Sequence, residues 1–391
     1  MTIALTDTVK LGYDTTTLSL DSSGEARYTI ALLQSLRRFT DIEIEILTAS
    51  RRVPGSRMQR RAYQALAEGL YYPLLVGRRV RRRAVDLVHY PRHLVSAQHG
   101  VEVPTVLTVA DVFPVTHPQY YDAATVRHYR LMTPGAARRA TRVITHSKAS
   151  QSDITRRLRI PPERVAVVPH GVGDQFRPVA RDERWLQRRF GVDGPYVLCV
   201  ATLEPRKNLA RAIVAMDRLQ PQFPSHALVL TGGRGWLSAD LDAALSATRS
   251  RVVLTGYVSD EELVGLYAAA DCFLFASLLE GFGFPVLEAM ACGAPVVTSD
   301  RSSLPEVAGD AAVLVDPYST EAIAEGIARV LGSSELRTEL RDRGLERSAR
   351  FTWRAAAEAT VRVYQEALAA HGERGELTAR RSARRARTRA H

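Results

Sequence analysis

The chain has 391 residues, 46% of them hydrophobic and 24% charged, with 53 basic against 42 acidic side chains and a formal charge of +11. Such a length exceeds what one core usually reaches, so two domains are expected, and the ordinary composition excludes wholesale disorder, collagen and coiled coil. No apolar run approaches the roughly 18 residues of a membrane-spanning helix, and the start MTIALTDTVKLGYD lacks a basic segment followed by an apolar one, so a cytoplasmic protein is expected.

Short runs rich in Val, Ile and Leu alternate with helical patterns, which predicts α/β layers with parallel sheets. In the first half strands are expected near Thr2–Leu5, Ile42–Thr48, Asp86–His89, Pro104–Val109, Arg142–Thr145 and Arg164–Val168. In the second half they are expected near Tyr196–Ala201, His226–Thr231, Arg251–Leu254, Cys272–Ala276, Ala294–Thr298 and Ala311–Val315. Between the two sets, the glycines, prolines and charges of Gly171–Pro195 read as a linker with a short helix. Two doubly wound domains follow, and open sheets of this kind bind ligands at the carboxyl ends of their strands. Cys199, Cys272 and Cys292 lie in apolar stretches without CxxC spacing, so they read as reduced core thiols rather than disulfides or a zinc site.

The positive charge is concentrated in two places. Residues 371–391 hold seven Arg and two Glu, contributing +5 of the +11, and their paucity of apolar residues predicts a disordered basic tail. A second group, Arg51, Arg52, Arg57, Arg60, Arg61, Arg78, Arg79, Arg81, Arg82 and Arg83, flanks the apolar stretch Tyr63–Val76. That pattern fits an anionic membrane surface and equally fits a solvated helix face in an arginine-biased chain. No helix-turn-helix, zinc finger or aromatic stacking platform accompanies the charge, so nucleic acid is not an expected partner.

The most informative segment is FLFASLLEGFGFPVLEAMACGAPVV, residues 273–297, in which a strand leads into a glycine-punctuated turn and a helix begins at Pro285. Gly281 and Gly283 allow close backbone approach to a ligand, and the N–H groups of the turn and helix start suit anionic or hydroxyl oxygens. Glu280 stands at the strand's carboxyl end and Glu288 in the helix, eight residues on, where both can face one elongated polar ligand. Glu288 alone also fits a solvated first-turn carboxylate.

Here the chain resembles the GT-B glycosyltransferases of the retaining GT4 family, whose E-x7-E motif matches Glu280-GFGFPVL-Glu288. YVLCVATLEPRKNL (196–209), VVLTGYVSDEELVGLYAAADCFLFASLLEGFG (252–283), SSLPEVAGDAAVLVDP (302–317), VVPHGVGDQFRP (167–178) and GEARYTIALLQSL (24–36) look like family segments as well. The resemblance covers most of residues 1–370 and is denser in the second half. It implies two Rossmann-like domains facing across a cleft: residues 1–175 binding the acceptor and 176–352 the nucleotide sugar. A helix over residues 353–370 would cross back to the first domain, followed by the tail 371–391.

On that resemblance, Arg206 and Lys207 bind the donor diphosphate, Glu280 with the backbone of Gly281, Phe282, Gly283 and Phe284 holds the sugar, and Glu288 holds the ribose. Gly256 and Tyr257 lie beside the base, and Gly24 opens the N-terminal loop, although Ala26 stands where relatives carry a later glycine. Many relatives carry His-Asp after the strand that ends near Val109; here the pair is Ala110-Asp111, and Asp111 is left to receive a substrate hydroxyl, with His117 nearby. The residues support the basic loop independently. Lys10, Lys148 and Lys207 are the three lysines among the 53 basic residues, and one of them falls at the diphosphate position. Ser303-Leu-Pro-Glu306 reads as a capping box, which assigns Glu306 mainly to structure.

Neither GxxxxGK[ST], HExxH nor GxSxG occurs, and Asp240-Leu-Asp242 lies in a predicted helix, where residues two apart diverge, so no metal is expected. The implied co-substrate is a nucleotide diphosphate sugar, GDP-mannose being favoured, with no further cofactor. The implied acceptor is a glycan or lipid-linked saccharide at the inner membrane face. The alternatives are transfer to a soluble small molecule and a catalytically silent nucleotide-sugar binding or scaffold protein, the latter prompted by Ala110 and Ala26.

Overall fold

The computed structural model describes residues 9–15, 18, 24–47, 76–92, 101–233, 235 and 239–389. The chain divides into two compact units, Met1–Pro169 with Trp353–His391, and His170–Thr352. The boundary falls a few residues before the expected 175, because Val172 donates its N–H to Phe351 O and bridges to Thr352, which ties this segment into the second unit.

In the first unit six parallel strands form one sheet: β1 (Lys10–Asp14), β2 (Glu43–Leu47), β3 (Leu87–Tyr90), β4 (Thr105–Thr108), β5 (Arg142–Thr145) and β6 (Val165–Val167), in the order β2-β1-β3-β4-β5-β6. The expected strand Thr2–Leu5 lies outside the described residues, and β1 was not anticipated. KLGYD reads poorly as a strand because Lys, Gly and Asp interrupt it, yet pairing on both sides buries Leu11 and Tyr13 completely. Of the basic stretch at 51–83, residues 51–75 lie outside the described set. The helix Gly77–Arg82 turns Val80 inward and leaves Arg78, Arg81 and Arg82 exposed.

The second unit repeats the architecture with β7 (Tyr196–Val200), β8 (Ala227–Thr231), β9 (Val252–Gly256), β10 (Cys272–Phe275), β11 (Val296–Ser299) and β12 (Ala312–Val315), ordered β12-β11-β10-β7-β8-β9 and parallel throughout. Strand periodicity divides its core. Tyr196, Leu198, Phe273 and Phe275 pack on one face, and Val197, Cys199, Cys272 and Leu274 on the other. Two of the three buried cysteines are thus interior strand residues, and burial pushes the Cys199 thiol up to about 12. The expected linker helix is Glu183–Phe190, capped by Asp182 and ended by Gly191 at φ +67°.

A single helix runs from Trp353 to Arg389, through residues that composition assigned to a disordered tail. Propagating a helix needs no new core once its first turns are anchored, and Ala, Arg, Leu and Glu are strong helix formers. The anchoring is to the first unit: Tyr364 is fully buried, its hydroxyl 2.7 Å from His89 Nδ1, while His89 Nε2 lies 2.9 Å from Thr108 Oγ1. Tyr28 reaches the same Thr108 hydroxyl at 3.2 Å and packs edge-on against His146, whose Nδ1 lies 3.0 Å from Val168 O. Among the described residues, no helix is long and apolar enough to cross a membrane.

Candidate active site

In the second sheet the strand order reverses between β7 and β10, and the carboxyl ends of strands flanking such a reversal form a natural crevice. Chemistry converges there. After β7 the chain makes a 3₁₀ turn, Pro205–Lys207, ended by Asn208 at φ +61°. The buried Asn208 amide donates to Ala276 O at 3.0 Å and Pro317 O at 2.7 Å, which pins the turn across the end of β10. Leu278 N–H donates to Arg206 O at 2.9 Å, and Ser277 Oγ lies 3.1 Å from the same carbonyl, closing the connection from the other side.

Glu280 is 7% exposed, and its Oε1 receives Lys207 Nζ at 2.6 Å, Ser277 Oγ at 2.6 Å and Arg206 Nη1 at 3.1 Å. Arg206 also holds Glu204, Nη2 to Oε1 2.6 Å, and donates from Nη1 to Leu279 O at 2.7 Å. Burial alone would raise the Glu280 carboxyl. The Lys207 ammonium and the Arg206 guanidinium, with hydrogen bonds from Lys207 and Ser277, outweigh it and hold the group at about 2. Burial and then the adjacent Arg206 lower the Lys207 ammonium, against the opposing pull of Glu280 and Glu204. Two half-buried cations and two buried carboxylates therefore share one site, with Lys207 Nζ also 5.1 Å from the centre of the Phe275 ring. Such a site presents fixed donors to an anionic oxygen without reorganisation.

The glycine turn follows directly. Gly283 has φ +116°, and a Cβ there would lie 2.7 Å from Leu304 Cδ2, so this position needs glycine both for its conformation and for its room. Ser302 Oγ accepts from Glu280 N–H and donates to Glu280 O at 2.6 Å. Ser303 Oγ lies 2.8 Å from Glu280 O and 2.6 Å from Phe282 O, one hydroxyl proton serving two carbonyls. The expected capping box at Ser303 is therefore absent. Ser303 has helical φ and ψ and makes no side-chain cap to Leu304–Ala308, because the turn has taken its hydroxyl. The carbonyl of Glu306 receives Arg347 Nη2 at 2.6 Å.

Pro285 does stand in the first turn of a helix, Phe284–Ala291. Glu288 on that helix is 2% exposed, its Oε2 3.2 Å from Tyr267 OH, which overturns the solvated alternative. Gly256, at φ +70°, ends β9, and Tyr257 beyond it is 78% exposed; the intervening β8 separates them from β7 along the same carboxyl edge. Asp240 and Asp242 sit in the first turn of the helix Ala239–Ala247.

Arg206, Lys207 and Glu280 are thus brought into direct contact, continuous with Gly281–Phe284. Gly24 and Asp111 belong to the other unit. Gly24 opens the helix Gly24–Phe39, in which Ala26 is buried. Asp111, past the end of β4, accepts from Phe113 N–H at 3.0 Å, and His117 Nδ1 lies 2.8 Å from Thr116 Oγ1. Arg92, just past β3, pairs with Glu25. Glu204, Asn208, Ser277 and Ser302 are not among the residues expected from the sequence. The signals available were the RKN triplet and a serine three residues before the glutamate.

Residues 183–347 match the family described as glycosyl transferases group 1, and residues 11–176 match glycosyltransferase family 4. The chain is 34% identical over 265 residues to the O-antigen chain mannosyltransferase B of Escherichia coli, covering 66% of this chain and 70% of that protein. It is 29% identical over 267 residues to the serotype-specific mannosyltransferase WbdA of Escherichia coli, covering 66% of this chain and 33% of that longer protein. Among solved structures, sucrose-phosphate synthase from Thermosynechococcus elongatus superposes with a TM-score of 0.74 at 20% identity, over 93% of this chain and 100% of that one, a likeness of fold.

Proposed function

The chain belongs to the family 4 glycosyltransferases and has their GT-B fold, and from that premise we propose that it transfers mannose from GDP-mannose to a hydroxyl of a glycan or lipid-linked saccharide, with retention at the anomeric carbon. The observation that carries this reading is the contact of the half-buried Lys207 and Arg206 with the buried Glu280 at the β7/β10 reversal. Arg206 and Lys207 take the donor diphosphate and stabilise the charge that develops on it as the anomeric C–O bond breaks. Glu280 and the backbone of Gly281–Phe284 hold the sugar hydroxyls, and Glu288 holds the ribose. Gly256 and Tyr257 flank the base. Asp111, in the first unit, serves the acceptor hydroxyl. The bonding electrons leave with the diphosphate oxygen, the acceptor oxygen bonds to the same face of the anomeric carbon, and the acceptor proton passes to the departing diphosphate.

The naming of mannose rests on the two Escherichia coli mannosyltransferases. Peripheral attachment at the inner membrane face rests on the arginines around residues 51–83. A panel of nucleotide sugars, with membrane extract supplying acceptor and release of nucleoside diphosphate as the readout, tests the reading. Release from GDP-mannose supports it, release from a different donor corrects the sugar or base, and silence with every donor removes it. Co-sedimentation with anionic vesicles that weakens as salt rises supports the membrane assignment, whereas no binding at low salt removes it.

A further inference from the structure

The glycine turn is held from a direction that the reaction scheme does not use. His170, the residue at which the chain passes into the second unit, is 5% exposed, and its ring lies parallel to that of Phe284, with centroids 4.3 Å apart and planes 9° from coincidence. The same imidazole meets Phe282 edge-on at 4.7 Å. Phe351, at the other passage of the chain between units, packs against Phe282 as well, with ring centroids 6.0 Å apart. Val172 N–H bonds Phe351 O at 3.0 Å, so the segments bearing His170 and Phe351 are clipped together. Arg347 lies 5.3 Å over the Phe351 ring while donating to Glu306 O and Val307 O, which fixes that ring in turn.

Gly281 and Gly283 offer no side chains by which the turn could be gripped. Its orientation depends on the carbonyls taken by Ser302 and Ser303 and on the two phenylalanine rings. We propose that His170 is a positioning residue for sugar recognition: by stacking on Phe284 and abutting Phe282, it aims the Gly281–Phe284 backbone at the hydroxyls of the transferred sugar. This rests on the assignment of that turn to the sugar in the reading above. The diphosphate is gripped elsewhere, by Arg206 and Lys207, so the loss of His170 separates two affinities that a general collapse of the site would lower together.

The experiment compares wild type with His170→Ala, His170→Leu and His170→Phe. It follows turnover of GDP-mannose, or of whichever donor the wild type selects, and calorimetric binding of the matching bare nucleoside diphosphate, with thermal midpoints alongside. In His170→Ala the donor KM rises or kcat falls on the order of 10- to 100-fold, the range expected for misplacement of a reacting group by about 1 Å. Binding of the bare nucleoside diphosphate stays within about twofold of wild type, and His170→Phe, which keeps a flat ring, recovers most of the loss. If His170→Ala does not fold, His170→Leu, which keeps bulk without planarity, takes its place with the same expected split. Unchanged donor kinetics, equal weakening of donor and bare nucleotide, or a Phe variant as poor as Ala each overturns the proposal while leaving the glycosyl-transfer reading intact. A wild type that turns over no donor overturns both.

Discussion

The two sheets share one architecture but finish their strand-order reversals differently. At β7/β10 in the second unit, Glu280, Glu204, Asn208 and Ser303 are all buried and are laced to one another by backbone and side-chain contacts. At β1/β3 in the first unit, the buried Asp14 ends β1, while the carboxylate of Glu25, paired with Arg92, keeps partial contact with water. On the proposed division of labour this contrast is physical sense. A diphosphate sugar presents the same charges at every turnover and rewards a preorganised dry site, whereas an acceptor hydroxyl carries no charge to be matched.

The largest expected effect tests that contrast directly. Glu280→Ala leaves the half-buried Lys207 and Arg206 without their shared buried carboxylate and should cost about 3 kcal/mol of stability, the low end for a buried pair, whereas Glu25→Ala, at a more exposed carboxylate, should cost about 1 kcal/mol. Urea unfolding of the two variants measures both, and equal losses would erase the distinction. On activity, Lys207→Ala should lower kcat about 100- to 1,000-fold, the effect of removing one preorganised donor to a developing anion. Steady-state release of nucleoside diphosphate reads it, and a loss under tenfold would remove Lys207 from the transition state.

A smaller effect sharpens the picture of the first unit. Burial, reinforced by the neighbouring His146, depresses His89 to about 3, and burial depresses His146 to about 4 despite its hydrogen bond to Val168 O. Below the ordinary value near 6.5 the unfolded chain takes up these protons and the folded chain does not, so stability is complete above about 6.5 and falls as pH drops toward 3–4. The slope approaches about 1.4 kcal/mol per pH unit for each histidine once the unfolded state is fully protonated. Unfolding measured between pH 7 and 4.5 should show it, and His89→Asn should flatten it. A comparably small effect is that of Tyr364→Phe, which removes a hydroxyl from His89 and should cost about 1 kcal/mol, read as a shift in the unfolding midpoint.

The second unit was more legible in sequence than the first because its strands are continuous apolar runs and its site is written in short segments. CFLF and ALVLT announce themselves; KLGYD does not, since its burial comes from neighbours contributed by distant parts of the chain. Arg206 and Lys207 stood out because lysine is scarce, and Glu280 because glycines follow it. Ser-x-x-Glu occurs at both Ser259 and Ser303 with identical spacing, yet only Ser259 closes a capping box with Glu262. At Ser303 the carbonyls of Glu280 and Phe282 compete for the same hydroxyl, and that competition exists only after β10 and β11 have paired. His170 was hidden for the same reason: nothing near it in sequence announces the ring on which it stacks.

The return of Trp353–Arg389 to the first unit has a consequence for synthesis. The second unit is one unbroken stretch, His170–Thr352, whereas the first is completed by residues that leave the ribosome after it. Until Tyr364 emerges, His89 Nδ1 lacks its hydroxyl partner and the helix that covers β4 and β5 is missing. Domains generally fold as units once their residues are available. The half of the protein that is made first is therefore the half that finishes folding last.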